Sequence, residues 1–198
     1  SVWSIGDISS YYIIQARTST DSGVSWGTTT HDLSADGGDA ENPQVTSCDD
    51  GSKLTSVWRR FNGSNWIIQA STSTDSGDTW PAVPADLSAG EQDAFDPQVT
   101  SSADGSKLTS IWKRFNGSNW IIQARTSKNS GATWEAVRDL SAAGGSADAP
   151  QVTSSADGSK LASVWSRFNG SNWIIQASTS TDFGNTWSVP VDLSTSGQ

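Results

Sequence analysis

The chain has 198 residues with 12 basic and 21 acidic side chains, and its net charge of −9 offers no basic surface for nucleic acid or anionic membrane. Its 11 tryptophans exclude a disordered chain, which would be poor in aromatics. No apolar run reaches the ~20 residues of a membrane span, the single Cys48 excludes an internal disulfide, and the lone His31 leaves no zinc cage. The absence of methionine and the start at Ser1 suit a processed chain or a fragment.

In chain order, Ser1-Val2-Trp3 opens a stretch that drifts through SIGDISSYY and settles at Ile13-Ile14-Gln15-Ala16. Val45 then opens VTSCDDGSKLTSVWRRFNGSNWIIQASTS, Val99 opens VTSSADGSKLTSIWKRFNGSNWIIQARTS, and Val152 opens VTSSADGSKLASVWSRFNGSNWIIQASTS. The last two differ at only 4 of 29 positions, so the chain is four copies of one unit of about 54 residues. Cys48 stands where the later copies have Ser102 and Ser155, and reads as an inert replacement.

Each full copy splits into four runs between turn signals. In the third copy, run A is Gln98–Ser102, ending in Ala103-Asp104-Gly105. Run B is Lys107–Phe115, closed by Asn116-Gly117, and run C is Asn119–Thr126. Asp-Gly and Asn-Gly are hairpin turns because they tolerate positive φ. Run D is Thr133–Leu140. Four short antiparallel strands at this period predict an all-β propeller, with blades at 1–42, 43–96, 97–149 and 150–198. The first blade lacks its inner strand. The chain is thus expected to be part of a larger ring, with a ring completed by further copies or a small four-bladed ring as alternatives.

The C–D turn reads STDSGVSW, STDSGDTW, SKNSGATW and STDFGNTW, at Ser19–Trp26, Ser73–Trp80, Ser127–Trp134 and Ser180–Trp187. In this turn Asp21, Asp75, Asn129 and Asp182 with their hydroxyl neighbours can bond the backbone. Gly23, Gly77, Gly131 and Gly184 supply a conformation other residues resist. Trp26, Trp80, Trp134 and Trp187 can pack back on the blade. Asn129 in one copy marks a structural turn, since an amide cannot replace a catalytic acid.

This pattern resembles the Asp box, S/T-x-D-x-G-x-S/T-W, of the sialidase-like superfamily, and the resemblance covers the whole chain. Families with the box include sialidases, other secreted glycoside hydrolases, sortilin-like receptors and bacterial surface proteins. The resemblance implies a propeller and an extracellular setting, and leaves activity open.

Strand parity puts the boxes and Asp-Gly turns on one face of the disc. The other face carries the Arg-Phe-Asn-Gly-Ser-Asn turns and the D–A connections. Candidate ligand residues there are Trp58, Arg60, Asn62 and Trp66, then Trp112, Arg114, Asn116 and Trp120, then Trp165, Arg167, Asn169 and Trp173. Tryptophan stacks on sugar rings, and arginine and asparagine bond hydroxyls or carboxylates; the same tryptophans could instead be inter-blade core. The acids of the connections (Asp36, Asp39, Glu41, Glu91, Asp93, Asp96, Asp148) have no EF-hand spacing and read as solvated rather than as calcium ligands.

Sialidases need three converging arginines, a Tyr–Glu pair and an Asp acid drawn from dissimilar blades. Here Tyr11 and Tyr12 are the only tyrosines, and Arg60, Arg114 and Arg167 are merely equivalent. Near-identical blades multiply one surface and suit a multivalent binder. The expectation is a secreted, non-catalytic module that binds glycan or another surface ligand, without cofactor, metal or catalytic residue. The alternative is part of a sialidase-like glycoside hydrolase.

Overall fold

The computed structural model describes residues 1–6 and 11–195; residues 7–10 of the divergent stretch and 196–198 lie outside the described residues. The described residues form four antiparallel sheets and no helix, so none is long and apolar enough to cross a membrane. Blade 1 holds β1 (Val2–Ile5), β2 (Ile13–Ala16) and β3 (His31–Asp32). Blade 2 holds β4 (Ala40–Ser47), β5 (Leu54–Phe61), β6 (Trp66–Ser73) and β7 (Ala85–Asp86). Blade 3 holds β8 (Ala94–Ser101), β9 (Leu108–Phe115), β10 (Trp120–Ser127) and β11 (Arg138–Asp139). Blade 4 holds β12 (Ala147–Ser154), β13 (Leu161–Phe168), β14 (Trp173–Ser180) and β15 (Val191–Asp192). Within each blade, strands pair only with chain neighbours. β4, β8 and β12 lie side by side along the inner side of the arc. This is the expected propeller, and blade 1 is the three-stranded one.

Two run boundaries differ from expectation. The A strands start at Ala40, Ala94 and Ala147, three residues ahead of the expected blade starts. The prolines Pro43, Pro97 and Pro150, which look like connection residues in sequence, lie inside these strands. Each strand shifts register there: Phe95 pairs Lys113, and Gln98 is the next residue to pair, with Ile111. A bulge leaves the proline outside the ladder, where its missing N–H costs nothing. The residue before each proline has positive φ: Asn42 (54°), Asp96 (55°) and Ala149 (51°).

Run D is the second difference. Only two residues of it pair as strand in each blade. In blades 2 and 4, Pro81, Pro84 and Pro190 interrupt the donor row. After the box the chain touches the C strand at separate points instead, as where Glu135 N donates to Thr126 O (2.8 Å) and Leu140 N to Ile122 O (2.7 Å).

The core lies between blades. Trp58 packs on Ile14, Ala16 and Leu33 of blade 1; Trp112 packs on Val57, Ile68 and Leu87 of blade 2; Trp165 packs on Ile111, Ile122 and Leu140 of blade 3. All three rings are buried. Covering 150–250 Å² of indole at about 25 cal/mol/Å² stabilises each junction by up to about 4–6 kcal/mol. The box tryptophans Trp80, Trp134 and Trp187 add a half-buried ring to the same three clusters. Successive A–B turns are also stitched together, Asp49 N to Ala103 O (2.8 Å) and Ala103 N to Ala156 O (2.6 Å).

Candidate functional site

The four boxes share one geometry. The leading Ser Oγ donates to Oδ1 of Asp21, Asp75, Asn129 or Asp182 at 2.7–3.0 Å and accepts the Gly N–H at 2.8–2.9 Å. The same Oδ1 accepts the N–H of Ser25, Thr79, Thr133 or Thr186 at 2.8–2.9 Å. Two successive left-handed residues close the turn, Ser76 (62°) and Gly77 (89°) in blade 2. Hydrogen bonds from the hydroxyls of Ser25, Thr79 and Thr186 first, joined by the backbone and the leading serine, hold Asp21, Asp75 and Asp182 down at about 2. A carboxyl so far below neutral is a poor proton donor. In blade 3, Asn129 Nδ2 donates to Thr133 Oγ1 (2.8 Å), so the amide keeps the turn with one bond reversed.

The A–B turns repeat the device. Ser102 Oγ donates to Asp104 Oδ1 (2.6 Å) and accepts Lys107 N (3.0 Å). Cys48 takes the same place: its Sγ donates to Asp50 Oδ1 (2.9 Å) and accepts Lys53 N (3.1 Å). The thiol thus does the hydroxyl's work, a role that sequence reading missed.

On the opposite face, the expected ligand residues separate into four groups. Trp58, Trp112 and Trp165 are core residues between blades and present no ring to a ligand, which corrects their assignment as stacking platforms. Asn62, Asn116 and Asn169 spend their Oδ1 atoms on the turn, accepting from the N–H groups two and three residues on at 2.8–3.0 Å. The arginines hold separate connections. Arg60 donates to Ala35 O and Asp36 O, Arg114 lies 3.7 Å from Glu91, and Arg167 lies against Gly145. They are not gathered around one carboxylate position.

Trp66, Trp120 and Trp173 form the fourth group. Phe61, Trp66, Phe95, Trp120 and Phe115 make a continuous aromatic ladder across blades 2 and 3, with centroids 5.4–6.3 Å apart. The Arg59 guanidinium sits 4.5 Å from the Trp66 ring and 5.1 Å from Phe95, and ion-pairs with Glu41. Lys113 sits 5.5 Å from the Trp120 ring and binds Asp96 (2.8 Å) and Asp148 (2.7 Å). In blade 4, Ser166 replaces the cation and nothing replaces Phe95. Trp173 is therefore 55% exposed, backed only by Phe168 at 5.7 Å. Arg59, Phe95 and Lys113 were missed in the sequence, although their signal was there: they occupy the few positions where the copies differ.

Most acids of the connections are engaged rather than free. Beside the pairs above, Asp39 and Asp93 accept the N–H groups of Tyr12 and Trp66 at 2.9 Å. Between the A strands opens a cleft of about 410 Å³, lined by Gln44, Gln98, Gln151, Asn42 and the Lys113–Asp148 pair. Its amides can donate and accept at once, as hydroxyl-rich ligands require. A wider groove of about 750 Å³ opens on the box face, between Trp26 and Cys48, where blade 1 has no A strand to fill it.

No protein-family model matches the chain, and no curated protein matches it. Among solved structures, the chain is similar to the NanB sialidase of Streptococcus pneumoniae bound to a chlorobenzylammonio-ethanesulfonate, with a TM-score of 0.57 and 18% identity, over 93% of this chain and 29% of that one. A single-residue mutant of the same sialidase gives the same values. In fold, the chain is a β-propeller similar to the matched part of these sialidases. A further NanB structure, with optactamide, reaches a TM-score of 0.51 at 20% identity, over 85% of this chain and 26% of that one. At these identities the likeness is one of fold, and the chain spans less than a third of the length of these matched chains.

Proposed function

We propose that this chain is a non-catalytic, extracellular propeller module that binds carbohydrate on the face of its B–C turns. The observation that carries this reading is the open ring of Trp173, half-exposed and tilted 53° to Phe168, its aromatic neighbour. An aromatic face with one side free stacks on the apolar face of a sugar ring. The amide-lined cleft between the A strands adds donors and acceptors for hydroxyls. Trp66 and Trp120 are each flanked by Phe95 and a cation, so the reading favours one strong platform in blade 4 over three equal ones. The box carboxylates are occupied by their turns, and Arg60 is held by the carbonyls of Ala35 and Asp36, which supports a binder over a hydrolase. The extracellular setting rests on the Asp-box resemblance, and detection in the culture medium tests it.

A second reading is favoured by the fold likeness: part of a sialidase-like glycoside hydrolase, whose remaining blades would supply the missing groups. Two assays separate them. Glycan-array binding abolished by Trp173→Ala, with the melting temperature unchanged, supports the binder. Turnover of a fluorogenic sialoside that disappears with Arg114→Ala supports the hydrolase instead.

A further inference from the structure

Every blade has a back face, made by its B, C and D strands, and a front that presents the B-strand and box tryptophans to the blade before it. Three such junctions occur within the chain, and they repeat residue for residue. One back and one front are left over.

The leftover back belongs to blade 4. Leu193 is 60% exposed, while its counterparts Leu33, Leu87 and Leu140 are at most 3% exposed. Ile175 is 43% exposed against 0% for Ile122. Val164 and Val191 are exposed beside them, and Trp173 lies at the turn end of the same face, where the blade 2–3 junction uses Phe95 of an A strand that blade 1 lacks, so a docked blade 1 leaves its ring open. The leftover front belongs to blade 1. Trp26 is 47% exposed, while the other box tryptophans pack on a neighbour. Trp3, the counterpart of Trp58, is only half-buried. The glycines show the same gap. A Cβ on Gly77, Gly131 or Gly184 would run into Thr18, Thr72 or Thr126 of the preceding blade, within 2.2–2.5 Å of a side-chain atom. On Gly23 it would meet nothing. The matching threonine on the free back, Thr179, is exposed.

We propose that these two surfaces are complementary halves of a fourth junction, and that the back of blade 4 is covered by the front of blade 1 of a second copy of this chain. The occupant follows from continuity with the three internal junctions. The free back carries valine, isoleucine and leucine where the others already hold tryptophan, and the free front carries the two tryptophans that fill such a site. The contact is heterologous, head to tail, so two or more copies close a ring or extend a row.

Complementary blocking tests this. Trp26→Lys blocks the head, and Ile175→Lys or, independently, Leu193→Lys blocks the tail; all three sites are exposed, and a cooperative melt verifies each variant. Light scattering on the wild-type chain is expected to give a mass at least twice the 20.9 kDa of one chain. Each single variant is expected at one chain's mass, and a 1:1 mixture of a head-blocked and a tail-blocked variant is expected to form a dimer. A wild-type chain that stays monomeric at its highest soluble concentration overturns the proposal, and would mean that another partner or segment covers the face. Single variants that still assemble, or a mixture that does not, overturn it equally.

Discussion

The Lys113 ammonium lies 2.7 Å from the Asp148 carboxylate and joins blade 3 to blade 4 across the inner edge of their junction. Asp96 completes the cluster at 2.8 Å. Burial pushes the Lys113 pKa down, but the bonds to Asp148 and Asp96 outweigh it and raise the value overall. Lys113→Ala leaves two carboxylates facing each other without a cation. It is expected to destabilise the chain by about 1 kcal/mol at low salt, because all three groups are partly exposed and screened. Denaturant melts at low and high salt check this; the loss should shrink as salt rises.

The turn carboxylates set the acid limit of the fold. Asp21, Asp50, Asp75, Asp157 and Asp182 are held at about 2, and Asp104 is also lowered, in each case first by side-chain hydrogen bonds. A folded pKa below the unfolded value of about 3.9 contributes stability above that value, and the contribution fades as pH falls towards the folded value. Tm is therefore expected to hold down to about pH 4 and to drop between about pH 4 and 2. Asp75→Asn should weaken the acid sensitivity and keep most of Tm, since Asn129 already builds the same turn. Asp75→Ala should lower Tm more.

Tryptophans of the same type differ sharply in what they hold. Trp112→Ala is expected to cost about 3–5 kcal/mol, since it empties the junction between blades 2 and 3. Trp26→Ala, at a ring exposed within a single chain, is expected to cost less than about 0.5 kcal/mol at protein concentrations low enough to keep the chain monomeric. Urea unfolding monitored by circular dichroism gives both numbers. Equal losses would contradict the inter-blade assignment.

Ala149 is the one bulge residue whose side chain does not suit its backbone. Its φ of 51° lies in the left-handed region, where the equivalent blades use Asn42 and Asp96. An L-alanine there costs about 1–2 kcal/mol, and asparagine is tolerated better. Ala149→Asn is expected to raise stability by about 0.5–1 kcal/mol, read as a shift of the denaturation midpoint.

Cys48→Ser tests the A–B turn. Oxygen bonds more strongly than sulfur in the same place, and Ser102 shows that the hydroxyl fits. The variant is expected to match or exceed the wild-type Tm. A clear loss would show that the thiol packs in a way the hydroxyl does not reproduce.

The repeat made the blades, the turns and the missing first strand legible, because each turn signal recurs at the same place in every copy. Three things stayed hidden for physical reasons. Trp58 and Trp66 look alike in sequence, but Trp58 sits mid-strand between two blades, whereas Trp66 opens its strand at the B–C turn and stays near the surface. The ladder through Phe95 and the Lys113 cluster depend on pairings between blades, which a one-blade pattern does not contain. The bulges at Pro43, Pro97 and Pro150 leave no signal in the repeat, because proline marks the end of a strand unless the ladder steps around it.

β6 and β14 have the same eight residues, Trp-Ile-Ile-Gln-Ala-Ser-Thr-Ser. During folding, β5 gains the same side-chain pairs from either one. Only the intervening loop distinguishes them: residues 62–65 in the native hairpin, residues 62–172 in the exchanged one. Loop-closure entropy separates the two by about 3 kcal/mol. The Asn-Gly turns are therefore what keep a chain of interchangeable parts in order, and a longer linker in one of them would invite strands to trade places between blades or between molecules.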